Sequence, residues 1–154
     1  MKILVDADSC PKDARELTLR SARRRGLRAI FAANRPIPGI GGENISMEIC
    51  PLEDNAADNR MVELAKPGDL AISRDLALAK RLLKKGVAVI DDRGRVFTPD
   101  NINELLSLRN FTVGLAESGL GIERTANYGP KERKAFADSL DRLLVKLLKN
   151  LSAH

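Results

Sequence analysis

The chain has no tryptophan, one tyrosine (Tyr128) and four phenylalanines, so a platform of aromatic rings stacking single-stranded bases is not expected. Its only histidine is His154, the last residue, which leaves no imidazole to act as general base in the body of the protein. Two isolated cysteines, Cys10 and Cys50, form no CxxC pair and indicate neither a zinc site nor a disulfide framework. Cys10 has no histidine partner and reads as a packing residue. There is no Walker loop, since "GIGG" (39–42) lacks the strand-then-helix setting and the lysine of a phosphate cradle. No apolar run approaches the ~20 residues of a membrane span. Asp6 and Asp8 interrupt the place where a signal peptide would be apolar. The expectation is a cytoplasmic protein with no membrane partner. Internal repeats and low-complexity segments are also missing.

What remains is an ordinary globular composition, 44% apolar and 31% charged. The 154 residues read as one domain, 1–154. A chain of this size buries roughly 70% of its unfolded surface and needs no staples. Lys and Arg total 26 against 21 Asp and Glu, a net charge of +5 that is unevenly spread. Arg20, Arg23, Arg24, Arg25 and Arg28 crowd together, and Lys131, Arg133, Lys134, Arg142, Lys146 and Lys149 line the C-terminal segment. Such clusters can attract phosphate backbones, although charge alone favours a solvated helix face.

The first half alternates apolar runs with helical patterns. "KILVD" (2–6), "RAIFAA" (28–33), "ISMEIC" (45–50), "DLAIS" (69–73) and "VAVID" (87–91) read as strands. Between the first two, a helix capped by Ser9 or Cys10 and opened by Pro11 runs to Arg25, and Gly26 ends it. "NRPIPGIGGEN" (34–44) is a loop, and helices are expected over 56–65 and about 75–85. "DRGR" turns after the last strand; residues 100–108 and about 130–150 read as further helices. The stretch from Asn110 to Pro130 is Gly-rich and poorly patterned, a connection or a loop that touches substrate. Strands alternating with helices imply crossover connections and a mostly parallel sheet. Apolar runs without alternation suit strands covered on both faces.

Acids gather at the ends of these strands. Asp6 ends the first and Asp8 follows it; Asp75 comes two residues after "LAIS"; Asp91 and Asp92 end "VAVI"; Asp54 and Asp58 open the helix at 56. Ligands of an open parallel sheet bind outside the carboxyl ends of its strands. Capping explains Asp75 and one of Asp54 or Asp58, but not both Asp6 and Asp8, nor a second acid at Asp92. Two carboxylates within ~4 Å repel by about 4 kcal/mol at an effective dielectric near 20. Such a cluster holds either a proton at raised pKa or a cation, and all-oxygen ligands select hard cations such as Mg²⁺ or Mn²⁺. A divalent metal beside basic residues suits phosphodiester chemistry.

"VDADSCP" (5–11), "AAN" (32–34), "DNAADN" (54–59), "DLAISRDLALA" (69–79), "RGRVFTPDNI" (93–102), "LR" (108–109) and "GPKERKAFADSLDRLL" (129–144) occur in the order seen in the YaiI/YqxD family. That bacterial family of small proteins is similar to PIN-like nuclease domains. The resemblance implies a PIN-like three-layer α/β/α fold, with an expected strand order of 3-2-1-4-5. It also implies several acids around Mg²⁺ or Mn²⁺ and cleavage of nucleic acid, RNA rather than DNA. Asp6 matches the first-strand acid, Asp58 the helical acid, Asp75 the acid after the strand bearing Ser73, and Asp91 or Asp92 the last. Where the family more often has "NPRG", this chain has "DDRG" (91–94), which leaves the fourth ligand open between those two. On this expectation Asp6, Asp58, Asp75, Asp91 and Asp92 form the metal set and Asp8 supports it. Asn34, Asn59, Ser73, Arg109 and Arg133 contact the substrate or set the acids, and the Arg23–Arg25 face joins them if it shares their side.

Two other readings stand beside this one. "LVDADSC" resembles the first motif of HAD-type phosphatases, with Asp6 as nucleophile and Asp8 as acid. Ser73, Lys80 or Lys84, and Asp91–Asp92 would complete that site. Against it, Cys10 stands where Thr or Val is expected, Pro11 leaves no room for the flap, and Asp58 goes unused. The third reading is a PIN-like module without activity that binds RNA or a partner.

Overall fold

The computed structural model describes residues 1–117 and 128–152. Six strands form one sheet in the order β3-β2-β1-β4-β5-β6. The central strand β1 (Lys2–Asp6) pairs in parallel with β2 (Arg28–Ala33) and with β4 (Leu70–Ile72). Ile3, Leu4 and Val5 are wholly buried, as a strand covered on both faces requires. β3 (Ile45–Ile49) lies outside β2, and β5 (Ala88–Ile90) outside β4, both parallel. The expected order of five strands is found. The sixth, β6 (Val96–Phe97), folds back antiparallel on β5. Two residues carry no period, so no pattern in the sequence marks this strand.

Helices cover both faces. α1 (Lys12–Arg25) and α5 (Pro130–Ser152) pack with Ile3, Val5, Phe31 and Ile72; their own contribution includes Ala14, Ala22, Phe136, Leu140 and Leu144. The other face takes α2 (Ala56–Leu64), α3 (Leu76–Lys84) and α4 (Ile102–Glu117). There Leu4, Ile30 and Ala71 meet Met61, Leu78, Leu82 and Ile102. Each fully buried Leu, Ile or Phe contributes about 1.5–3 kcal/mol, so these two layers hold the sheet edge in place.

Several boundaries differ from expectation for local reasons. Pro11, not Ser9 or Cys10, is the capping residue of α1, and it makes no side-chain cap bond. Residues 7–9 form one 3-10 turn instead, which turns Ser9 back onto Asp6. Gly26 closes α1 in the left-handed conformation, φ 64°, as expected. α4 runs on to Glu117, well past residue 108, so the first part of the poorly patterned stretch is helical. The remainder, 118–127, lies outside the described residues.

The turn between β5 and β6 is locked to α5. Ser139 Oγ donates to the Gly94 carbonyl at 2.6 Å, and Arg93 pairs with Glu132 at 3.6 Å. Gly94 has φ 86°, and a Cβ there would stand 2.5 Å from the Ala135 carbonyl oxygen. Gly94→Ala combines a left-handed backbone with a backbone clash and is expected to cost roughly 2–4 kcal/mol in urea unfolding. Gly26→Ala, which meets nothing within 4 Å, is expected to cost only about 1–2 kcal/mol.

Candidate functional site

The winding direction reverses at β1: the chain proceeds outward to β2 and β3, then returns to lay β4 on the opposite side of β1. The carboxyl ends of β1 and β4 therefore border a crevice. Asp6 sits there, 8% exposed. Its Oδ2 accepts from Ser73 Oγ at 2.9 Å and from Ser9 Oγ at 3.0 Å. Ser73 Oγ in turn accepts the Asp75 backbone N–H at 3.0 Å. Burial pushes the Asp6 carboxyl up from the ordinary carboxylate value; the two hydroxyls oppose this, and the charges of Asp75 and Asp8 add to it.

Asp75 is the N-cap of α3, its Oδ1 accepting from Leu78 N at 3.1 Å. Asp58, in the first turn of α2, lies close enough to Asp75 and Asp6 to feel both charges. Burial and the charges of Asp75 and Asp6 push the Asp58 carboxyl up to about 6. Arg81 opposes the shift, and its Nη1 donates to Asn59 Oδ1 at 2.9 Å. Asp6, Asp58 and Asp75, from β1, α2 and the start of α3, are thus near enough to act on one another electrostatically. Asp6 shares its side of β1 with Leu4, which packs in the α2–α3 layer.

The last two acids separate. The Asp91 carboxylate serves the turn: its Oδ1 accepts from Arg93 N at 2.9 Å and from Arg95 N at 2.8 Å. Asp92 lines a small cavity together with Asp6, Ser9, Cys10, Ser73 and Arg74. Burial, with the charge of Asp91, raises its pKa, and Arg74 and Arg93 oppose the rise. Cys10 is buried and its thiol is pushed up to about 12, chiefly by burial, which makes it inert as a nucleophile.

The remaining expected residues are scattered. Asp8 is exposed, and its Oδ2 accepts the Asn34 backbone N–H at 2.8 Å, tying the end of β1 to the loop after β2. Arg109 is exposed on α4, with no hydrogen bond or ion pair to these acids among the described residues. Arg133 borders a 460 Å³ cavity on the α1–α5 side. The Arg23–Arg25 face is not at the acidic edge, because α1 leaves that edge and ends where β2 begins. Arg23 donates to the Gly41 carbonyl there, and Arg24 and Arg25 pair with Asp141.

Ser9, Arg74 and Arg81 had not been singled out in the sequence. Ser9 was expected to cap a helix, while Arg74 stands unremarked between Ser73 and Asp75. For Arg81 no local signal existed, since only the packing of α3 on α2 brings it to Asn59. The oxygen atoms of the crevice are carboxylates and hydroxyls, a set suited to a hard cation, and beside them stand the Cys10 thiol and the Arg74 guanidinium. Among the described residues no group of three or more His, Cys, Asp or Glu side chains is placed to hold a metal ion as they stand. No helix among the described residues is long and apolar enough to cross a membrane.

Residues 4–146 match the family described as "Uncharacterized BCR, YaiI/YqxD family", and the chain belongs to it. A UPF0178 protein of Treponema denticola is 50% identical over 149 residues, which cover 97% of this chain and 95% of that protein. A UPF0178 protein of Treponema pallidum is 45% identical, covering 97% and 84%. The UPF0178 protein PSEEN5341 of Pseudomonas entomophila is 41% identical, covering 97% and 99%. No solved structure matches the chain.

The Asp58 proton makes a pH-dependent prediction. A carboxyl raised from 3.8 to about 6 holds its proton more tightly in the folded state. Its contribution to stability is intact below the unfolded value and is lost as pH rises through about 6. Asp58→Asn, which removes the charge, is expected to raise Tm by a few degrees at about pH 7.5 and not at about pH 3.5. Equal effects at both pH values in thermal melts would contradict the assigned repulsion.

Proposed function

We propose that this protein is a Mg²⁺- or Mn²⁺-dependent phosphodiesterase of PIN-like type acting on nucleic acid, RNA rather than DNA. The observation that carries the reading is the approach of Asp58 to Asp75 beside buried Asp6. Two carboxylates so close share a proton or neutralise against a cation, and neither capping nor packing calls for the approach. A cation in place of the shared proton would relieve the repulsion without changing the donor set. Asp6, Asp58 and Asp75 would hold the ion, with Asp92 the fourth acid at the crevice, since the turn occupies Asp91. The bound ion supplies an activated water and neutralises charge developing on the phosphate.

The chain's own side chains do the rest. Ser73 and Ser9 hold Asp6 in one orientation. Arg74, exposed beside Asp6 and Asp92, offers a cation to the phosphate. Arg81 with Asn59 holds the flank by Asp58. The HAD-type reading has no use for Asp58, which is why its approach to Asp75 favours the nuclease.

Calorimetric titration with Mn²⁺ tests the reading. Binding is expected in wild type and is expected to vanish in Asp6→Asn/Asp75→Asn. No binding at millimolar Mn²⁺ would return the acids to structural duty and leave a non-catalytic binding module as the better account. Asp6→Asn is expected to abolish RNA cleavage by at least about 100-fold while leaving the circular dichroism spectrum unchanged. Retained cleavage in that variant would sink the nuclease assignment. An aspartyl-phosphate trapped on Asp6 would instead establish the phosphatase.

A further inference from the structure

A second concavity lies next to the acidic crevice. It measures 460 Å³, within the range of small-molecule sites, and sits between the N-terminal parts of α1 and α5. Among the described residues its apolar lining includes Leu17, Tyr128 and Pro130; Arg133 and Lys134 stand on the α5 rim and Asp13 on the α1 side. Arg133 and Lys134 are exposed, and among the described residues the only ion pair on either is the weak Lys134–Asp138 contact at 3.4 Å. Such a lining suits an occupant with a flat apolar ring, an anionic group at one end and hydrogen-bond donors at the other. That is the chemistry of a nucleotide with an amino-bearing base.

The cavity joins the crevice through one side chain. Tyr128 lines the cavity and packs against the core cluster that contains Cys10. Cys10 in turn lines the acidic crevice with Asp6 and Asp92. The Tyr128 hydroxyl is buried with no hydrogen-bond partner among the described residues, a cost that a phenylalanine would avoid and that packing alone does not explain. The Arg93–Glu132 pair holds the turn after Asp92 against the first turn of α5, the turn from which Arg133 reaches the cavity.

We propose that the cavity between α1 and α5 seats one nucleotide of the RNA strand, its base against Tyr128 and its phosphate on Arg133 and Lys134. The nucleotide assignment rests on the cavity itself; the strand rests on the nuclease reading above. One aromatic contact of this kind seats a single base and differs from the multi-ring platform that the composition excludes.

Tyr128 is the only tyrosine, so ring-labelled tyrosine gives one set of NMR signals that reports on this place. Wild type would be titrated with AMP, adenosine, inorganic phosphate and tetraadenylate, all in EDTA so that no divalent ion contributes. A saturable Tyr128 shift is expected with AMP, weaker with adenosine or phosphate, and tighter with tetraadenylate. Arg133→Ala/Lys134→Ala, both exposed and safe for the fold, is expected to weaken AMP by about tenfold and leave adenosine unchanged. No shift with AMP in a protein that binds Mn²⁺ would overturn this inference and leave the nuclease reading standing. A shift with AMP in a protein that fails to bind Mn²⁺ would keep the nucleotide seat and remove the nuclease. Phosphate or adenosine as tight as AMP, or AMP untouched by the double variant, would refute the two-part recognition. Tetraadenylate no tighter than AMP would refute the strand.

Discussion

The reversal of winding between β1 and β4 is the constraint from which the site follows. One connection leaves β1 toward α1 on one face, and the connection from β4 turns into α3 on the other. Nothing in that route has to cross the carboxyl ends of the two central strands, so they are left to whatever side chains stand there. The parallel register then sets the details. Val5 lies opposite Ile72, so the next residues on each strand, Asp6 and Ser73, are neighbours by geometry. Their hydrogen bond is a consequence of register before it is a feature of chemistry.

Two kinds of buried aspartate separate structure from function here. Asp69, before β4, is also buried, but it is fully answered: Lys2 supplies a cation and a backbone N–H, and Lys66 a second N–H. Asp91 is answered by two N–H groups of its own turn. Such carboxylates hold the chain together, and removing a partner from a buried pair is costly. Asp6 and Asp58 are different. Hydroxyls and other carboxylates surround them, and both are pushed toward protonation. A fold that only needed hydrogen bonds at these positions would gain stability from neutral residues, which is why the proposed reading gives these two acids a cation to compensate them.

The architecture was readable in the sequence because it depends on local rules. Unalternating apolar runs located four strands and the alternation of "ISMEIC" (45–50) a fifth, Gly26 closed a helix, and helical spacing of Phe136, Leu140 and Leu144 placed α5 on the core. The site was readable only as a set of candidates. That Asp6, Asp58 and Asp75 meet depends on how α2 and α3 lie on the sheet, which no periodicity encodes. Asp91 and Asp92 were interchangeable in the sequence; a left-handed glycine at 94 bends the turn so that its N–H groups fall to Asp91. The arginine-rich end of α1 looked like a phosphate contact, yet the length of the helix alone carries it to the opposite edge.

Asp6 divides the crevice into two chemically distinct halves. On the α2–α3 side stand Asp58 and Asp75, acidic and mutually repelling, the half fitted to a cation. On the α1–α5 side stand Asp92 with Arg74, and beyond Tyr128 the cavity rimmed by Arg133 and Lys134, the half fitted to an anion. A phosphodiester bound between them would place its charge toward the arginines and its scissile phosphorus toward Asp6. The strand would then run from α5 across Arg74 toward α3, where Arg81 stands next to Asn59. That path needs no basic helix face at all, which is consistent with the Arg23–Arg25 cluster being engaged elsewhere in holding α1 to α5 and to the loop before β3. Phosphate contacts position a strand without reading its sequence. Selectivity along such a path would fall to the cavity beside Tyr128, where a base meets a ring and not only charge.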